Sequence, residues 1–296
     1  MQRVHRGSVI ARNGEFAVID CRKCGYAHLQ DLPTQQEVDA YYTRDEFYRT
    51  HSPDDWFEKE KREHEGGYWQ SAYDYEIDLL ESRSQVVDVG CGTGYFIHHY
   101  RRSGSVAYGI EPSASAREVS PLHHAYLFQD IAHLRQNVAL GHSTDSARMA
   151  FVLEHLLDPL YHTLEVRNAL VGPQGRLLIT VPNEFNPLQR RVEQRVGHAW
   201  YVQKPHINYF DRQSIRRLLK ACGFKVVYQG GTFPMELMYL MGYHYIGNDT
   251  IGRRVHNWRL RFEKLLGPSV YKLYHLLYNK LGWGRETIIV GERYET

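Results

Sequence analysis

The chain has 296 residues, 43% of them apolar, enough for one large domain, or a domain with a small appendage, around a buried core. Its 36 Lys and Arg against 34 Asp and Glu leave a net charge of only +2, a field too weak to argue for nucleic acid. No apolar run approaches the roughly 20 residues that cross a bilayer, the amino terminus lacks the apolar core of a signal peptide, and four cysteines make no disulfide framework, so a cytoplasmic location is expected.

In chain order, residues 1–50 read as a head: a hairpin turning at Asn13-Gly14, the run Cys21-Arg22-Lys23-Cys24-Gly25, and a short helix opened by the capping-box spacing of Thr34 and Glu37. Residues 54–81 are helical in pattern, with a break at Gly66-Gly67. Strand and helix signals then alternate. Residues 85–90, 106–111, 125–130, 145–150 and 175–182 predict strands, with helical patterns at 95–102, 114–119 and 159–170 between them. Residues 211–224 predict a helix capped by Asp211 and ended by Gly223, followed by strands at 224–230 and 286–294. The alternation implies an α/β fold, a parallel sheet with helices on both faces. Its core spans 51–231, an α-helical insertion rich in Tyr, Trp, Leu and Arg occupies 232–285, and 286–296 supply the last core strand.

The run QVVDVGCGTGYF, residues 85–96, sets Gly90, Gly92 and Gly94 at every second place between a strand and a helix. A phosphate-binding loop would end in Gly-Lys-Ser/Thr and a dinucleotide loop needs Gly-x-Gly-x-x-Gly; the chain has neither. Asp88, two residues before the first glycine, would repel a pyrophosphate and attract a cation. Glu111 ends the next strand, where a carboxylate can grip both ribose hydroxyls, and Asp130 ends the third, where an adenine amino group would lie. Three acids at successive strand ends around a bare turn suit S-adenosylmethionine, a phosphate-free nucleoside carrying a sulfonium and an ammonium. The bland alternative is a turn kept only for tight packing.

These residues resemble a known family, the class I S-adenosylmethionine-dependent methyltransferases. VVDVGCGTGYF is similar to their first motif, GIEPS to their second-strand acid, QDI to their third, VLEHLLDP to the segment after their fourth strand, and GPQGRLLITVPN to their fifth. The resemblance covers roughly residues 68–230. It implies a seven-stranded Rossmann-like sheet and a donor site built from Asp88, Gly90, Cys91, Gly92, Gly94, Glu111, Asp130 and Phe151. The stretch PHINYFDRQSIRRLLKACGF further resembles a bacterial branch with a His-x-Asn-Tyr-Phe element, often found among genes for surface sugars or small-molecule biosynthesis. A small or glycosyl acceptor, methylated on oxygen, is the implied substrate. An RNA or protein methyltransferase and a non-catalytic donor-binding scaffold are the alternatives.

Methyl transfer to a hydroxyl requires alignment and removal of a proton, and the base is to be sought on loops above the carboxyl ends of the strands. Glu154 and His155 follow the fourth strand. In ubiquinone-pathway O-methyltransferases a similar pair joins an acid three residues earlier to hold a divalent ion; that place is Phe151 here, so half of the acid complement is absent. The pair could equally order the loop beneath the donor. His206, with Asn208 and Tyr209 beside it, is the favoured base because imidazole titrates near neutral pH, although with 17 histidines in the chain it could simply cap a helix or bond the backbone.

Within the insertion, residues 253–285 carry eight Lys or Arg against one Glu, and Val255, Trp258, Phe262 and Leu265 fall near helical spacing. Three readings stand: a packed amphipathic cap with its arginines in water, a cover over an anionic acceptor, or contact with a membrane surface or nucleic acid. In the head, Cys21 and Cys24 supply two of the four ligands that zinc requires. Relatives carry an earlier Cys-x-x-Cys where this chain has Arg3 and Arg6, leaving His5 and His28 as nearby substitutes. The head therefore resembles a zinc ribbon stripped of half its ligands, and bound zinc is the less favoured outcome.

Overall fold

The computed structural model describes residues 5–43, 53–81, 85–122, 124–140 and 145–294. Strands β1 (Gly7–Asn13), β2 (Phe16–Cys21) and β3 (Tyr26–Leu29) form the head, followed by β4 (Gln85–Val89), β5 (Val106–Ile110), β6 (Leu127–Phe128), β7 (Ser146–Ala150) and β8 (Arg176–Pro182). Then come β9 (Asn208–Tyr209), β10 (Phe224–Gly231) and β11 (Glu286–Arg293). The helices are α1 (Gln35–Thr43), α2 (Pro53–Glu65), α3 (Gln70–Leu80), α4 (Tyr95–Arg102), α5 (Ala114–Glu118), α6 (Ile131–Asn137) and α7 (Pro159–Leu170). After them stand α8 (Pro187–Val196), α9 (Arg212–Ala221), α10 (Met235–Leu240), α11 (Asp249–Leu265) and α12 (Pro268–Leu281).

Seven strands make one sheet in the order β10-β11-β8-β7-β4-β5-β6. β4 to β8 run parallel, and β11 is antiparallel to both of its neighbours. Successive residues of a strand face opposite sides, and the core divides accordingly. Val87, Leu177 and Ile289 join the cluster on one face, while Val86, Leu178 and Ile288 join the cluster on the other. The chain proceeds outward from β4 through β5 and β6, then crosses back to β7 and β8. That reversal opens a crevice at the carboxyl ends of β4, β5 and β7, where ligands of open α/β sheets collect.

The second sheet runs β1-β2-β3-β9, antiparallel throughout. Its last strand is the Asn208-Tyr209 of the His-x-Asn-Tyr-Phe element, so a segment 180 residues downstream completes the head's core with Val18, Leu29, Tyr201 and Tyr209. The expected capping box is present: Glu37 accepts from the Thr34 amide at 2.7 Å and donates its own amide to Thr34 Oγ1 at 3.2 Å. The expected boundary between residues 50 and 51 lies outside the described residues.

The insertion is helical as expected, but its inward face differs from the apolar row in the sequence. Val255 and Leu260 are buried together with Arg259 and Glu263, which pair at 3.7 Å, whereas Trp258, Phe262 and Leu265 are 45%, 36% and 85% exposed. Arg259 thus lies inside and not in water. The wall it meets is polar: His256 approaches Glu63 at 3.1 Å and Tyr274 donates to Glu263 at 3.1 Å, so an ion pair turns inward and the aromatics stack outside.

Candidate functional site

The glycine run leaves β4 and opens α4. Gly90, Gly92 and Gly94 have φ of 71°, 54° and 82°, a left-handed backbone that side chains resist. Gly90 is the tightest, since a Cβ there would stand 2.5 Å from Val152 Cγ2. Gly90→Ala is therefore expected to cost about 2 kcal/mol, lowering Tm by about 5 °C in a thermal melt and weakening donor binding alongside.

Glu111, at the end of β5, is buried against this loop. Its Oε2 accepts from the Gly92 amide at 3.0 Å and its Oε1 from the Ser113 amide at 2.9 Å. Each oxygen keeps a lone pair, the arrangement a ribose diol needs. Burial, opposed by these amides, pushes Glu111 up to about 7. Asp130 ends the third strand region and caps α6, accepting from the His133 amide at 2.7 Å. Cys91 gives the loop its backbone, its amide donating to Ile110 O at 3.1 Å, while its sulfur lies against Gly109.

Asp88 stands at the carboxyl end of β4, but Arg148 Nη1 holds its two oxygens at 3.0 and 3.1 Å. The two residues are register partners in the β4–β7 ladder, which turns their side chains to the same face. Arg148 also donates to Glu76 at 2.8 Å, so the charge of Asp88 is answered from within the protein. Above the loop, Thr93 donates to Glu60 of α2 at 2.9 Å and Tyr95 stacks on His64 at 4.1 Å. Phe151 follows β7 with φ 58°, a conformation costing a non-glycine residue about 1–3 kcal/mol, and is 48% exposed.

A second cluster adjoins the first. Glu154 and His155 form a 3-10 turn after β7, and the Glu154 carbonyl accepts the Ile207 amide at 2.7 Å, drawing the His206 segment against it. The ligand atoms of Glu154, His155 and His206 lie within 4.8 Å of one another, with the two imidazoles 5.1 Å apart. Neither side-chain oxygen of Glu154 is hydrogen-bonded to another described residue, and His206 Nδ1 likewise has no partner. Burial pushes Glu154 up to about 8, with the charge of Glu184 adding, and pushes His206 down to about 4 and His155 to about 3. Position 151, where the resemblance implies a third acid beside this pair, holds the apolar Phe151, which offers no ligand atom.

Tyr209 is placed elsewhere: it is 1% exposed in the head's core, its hydroxyl donating to His206 O at 3.3 Å. Asn208 braces the site, its Nδ2 donating to the carbonyls of Leu153 at 3.0 Å and Leu156 at 2.6 Å on either side of Glu154-His155. Cys21 and Cys24 belong to the head's β2–β3 turn.

A family model described as a methyltransferase domain matches residues 61–229, more than half of the chain. The chain belongs to that methyltransferase family. Its donor is S-adenosylmethionine, and the bare loop with the half-satisfied Glu111 fits that ligand. The methyltransferase is 29% identical over 105 residues to the ubiquinone biosynthesis O-methyltransferase of Vibrio vulnificus, in two strains, across 33% of this chain and 44% of the relative. The matched stretch thus spans less than half the length of those relatives.

Among solved structures, the plantazolicin methyltransferase BamL, in complex with a triazolic desmethylPZN analog and SAH, aligns with TM-score 0.51 at 13% identity over 88% of this chain and 98% of that one. A complex of the Haloferax volcanii Trm112 methyltransferase activator with a methyltransferase gives TM-score 0.50 at 15% identity over 82% and 96%. At such identities these likenesses establish the fold alone.

Three further residues around this cluster carry no signal that singles them out in the sequence. Glu184 follows β8, is fully enclosed, accepts from Gln189 at 2.5 Å and is pushed up to about 7 by burial. It shares with Glu111 the place of an acid just past an apolar strand, a place that by itself singles out no residue. Tyr42 of α1 sets its ring 5.9 Å from His155, and burial first, then Tyr41, Glu154 and Glu111, suppress its ionisation. Arg285 is paired with Glu236 and opposes the rise of Glu184. Nothing in the local sequence links these three positions.

Proposed function

We propose that this methyltransferase acts on a hydroxyl of a small, sugar-like or otherwise hydroxylated acceptor, with Glu154 removing the proton and His206 orienting the hydroxyl. The carrying observation is the buried Glu154 carboxyl, whose two oxygens accept no hydrogen bond from the described residues, Oε1 meeting His155 Nε2 at 3.8 Å, beside a His206 Nδ1 that likewise has no hydrogen-bond partner among them. S-adenosylmethionine supplies the methyl group, already activated for in-line displacement. Glu111 and the loop amides position the donor, Glu154 accepts the proton as the acceptor oxygen attacks the methyl carbon and S-adenosylhomocysteine leaves, and the burial of Glu154 and Glu184 keeps bulk water from the carboxyl. The sequence favours His206 as the base. Burial reverses that preference, because a base near 8 drives proton transfer better at working pH than one near 4. The oxygen-methylating relative supports an oxygen target.

Incubation with methyl-labelled donor and fractionated cell metabolites tests the reading: label is expected in a polyhydroxylated small-molecule fraction, and label confined to RNA or protein would refute it. The pH dependence follows from the same groups. Below about pH 8 Glu154 retains its proton and cannot accept another, so kcat/KM rises by about tenfold per pH unit and levels off above pH 8. A profile already level from pH 6, with its midpoint near 4, assigns the base to His206 instead.

A second reading concerns where the acceptor is met. On the insertion, Leu265 and Leu273 are 85% and 67% exposed beside Lys264 and Lys272, an apolar and basic surface suited to an anionic lipid interface. Co-sedimentation with anionic but not neutral vesicles is the expected result of that reading.

A further inference from the structure

Four residues of the head, none of them used by the donor or acceptor site, bring their ligand atoms together. Cys21 ends β2, Cys24 lies in the turn, His28 is on β3, and His5 precedes β1. The start of β1 is pressed onto β2, since a Cβ on Gly7 would stand 2.0 Å from the Asp20 carbonyl oxygen. The Arg22 amide donates to Arg6 O at 3.3 Å, so residues 5 and 6 are laid across the turn. The turn itself is closed by the Gly25 amide donating to Cys21 O at 2.9 Å.

His5 Nδ1 lies 3.1 Å from His28 Nε2, 3.3 Å from Cys24 Sγ and 3.6 Å from Cys21 Sγ. All four ligand atoms fall within 4.8 Å of one another. A ring nitrogen has a single in-plane N–H or lone pair and cannot bond three neighbours at once. It can occupy one corner of a tetrahedron. With zinc–sulfur near 2.3 Å and zinc–nitrogen near 2.0–2.1 Å, tetrahedral edges come to about 3.3 Å for N···N and about 3.6 Å for N···S. The observed edges agree within a few tenths of an ångström.

The tautomer of His28 agrees as well. Its Nδ1–H donates to Leu29 O at 2.7 Å, which leaves Nε2 with a bare lone pair toward the cluster, the backing that metal-bound histidines receive. Cys21 is wholly buried and His28 is 1% exposed, as a closed structural site requires. We infer that His5, Cys21, Cys24 and His28 form a tetrahedral Cys2His2 site for structural zinc. On binding, both thiols lose their protons to solvent, and two thiolates balance the ion's two positive charges. His5, just before β1, and His28, on β3, thus supply the two ligands that the cysteine pair lacks. The site also bears on the catalytic side, because His28 pairs with Asn208, which holds the Glu154-His155 turn.

The test is elemental analysis of the full chain after gel filtration, with Cys24→Ser, His5→Gln and Glu154→Gln variants, and absorption of the cobalt-substituted wild type. About one zinc per chain is expected in wild type and E154Q, and less than about a tenth of that in C24S and H5Q, with a thiolate-to-cobalt charge-transfer band in the wild type. The cobalt spectrum decides the matter even where a cysteine variant fails to fold. Metal-free wild type after equilibration with zinc, absence of the thiolate band, or zinc lost from E154Q and retained in C24S would each overturn the assignment.

Discussion

Replacing Glu154 with glutamine lowers kcat by about 10² to 10⁴ while leaving the affinity for S-adenosylhomocysteine unchanged. The amide keeps the shape and volume of the carboxyl in its enclosed position but cannot take a proton. His206→Ala, which removes a neutral hydrogen-bonding partner of pKa about 4, is expected to cost less, about 10- to 100-fold. Steady-state kinetics on the labelled acceptor fraction, with calorimetric titration of the product analogue on both variants, separates the roles. A larger loss in H206A than in E154Q would return the base to His206.

Glu111→Ala weakens S-adenosylhomocysteine binding by about 100-fold or more. Two hydrogen bonds between a carboxylate and the ribose hydroxyls are each worth about 1.5–3 kcal/mol, and every 1.4 kcal/mol is tenfold. The substitution also releases the Gly92 and Ser113 amides that the carboxylate holds, so the loop loses its brace at the same time. Glu111→Gln retains the reach of the side chain, and its smaller loss, read by the same titration, isolates the contribution of the charge. Asp88→Asn should matter less to the donor, because Arg148 already holds both of its oxygens.

The donor side was legible because its chemistry is local. Acids at the ends of apolar runs and glycines at alternate places mark Asp88, Glu111 and the turn directly, and Gly66-Gly67 and Asp211 marked helix ends for the same reason. The second cluster was legible only in part: Glu154, His155 and His206 stand out as titratable groups after strand ends, whereas Glu184, Tyr42 and Arg285 come from three separate segments that no local pattern connects. Helix α8 carried its own signals, the Asn186 cap before Pro187 and Gly197 after its end, inside a stretch read only for its histidine. Periodicity also misjudged α11, since an apolar row locates the buried face only where the wall opposite is apolar, and here Arg259 and Glu263 pair within it. In the head, spacing marks Cys21 and Cys24 with His5 and His28 as nearby substitutes, and it is the sheet that brings the four ligand atoms within 4.8 Å of one another.

Calorimetric titration of the purified protein with S-adenosylhomocysteine, set against NADH and AMP under the same conditions, tests the carboxylate-rimmed glycine turn most directly. The account predicts saturable heat with S-adenosylhomocysteine, lost in Glu111→Ala, and none with the phosphate-bearing nucleotides. Comparable binding of NADH, or no heat with S-adenosylhomocysteine, would contradict it.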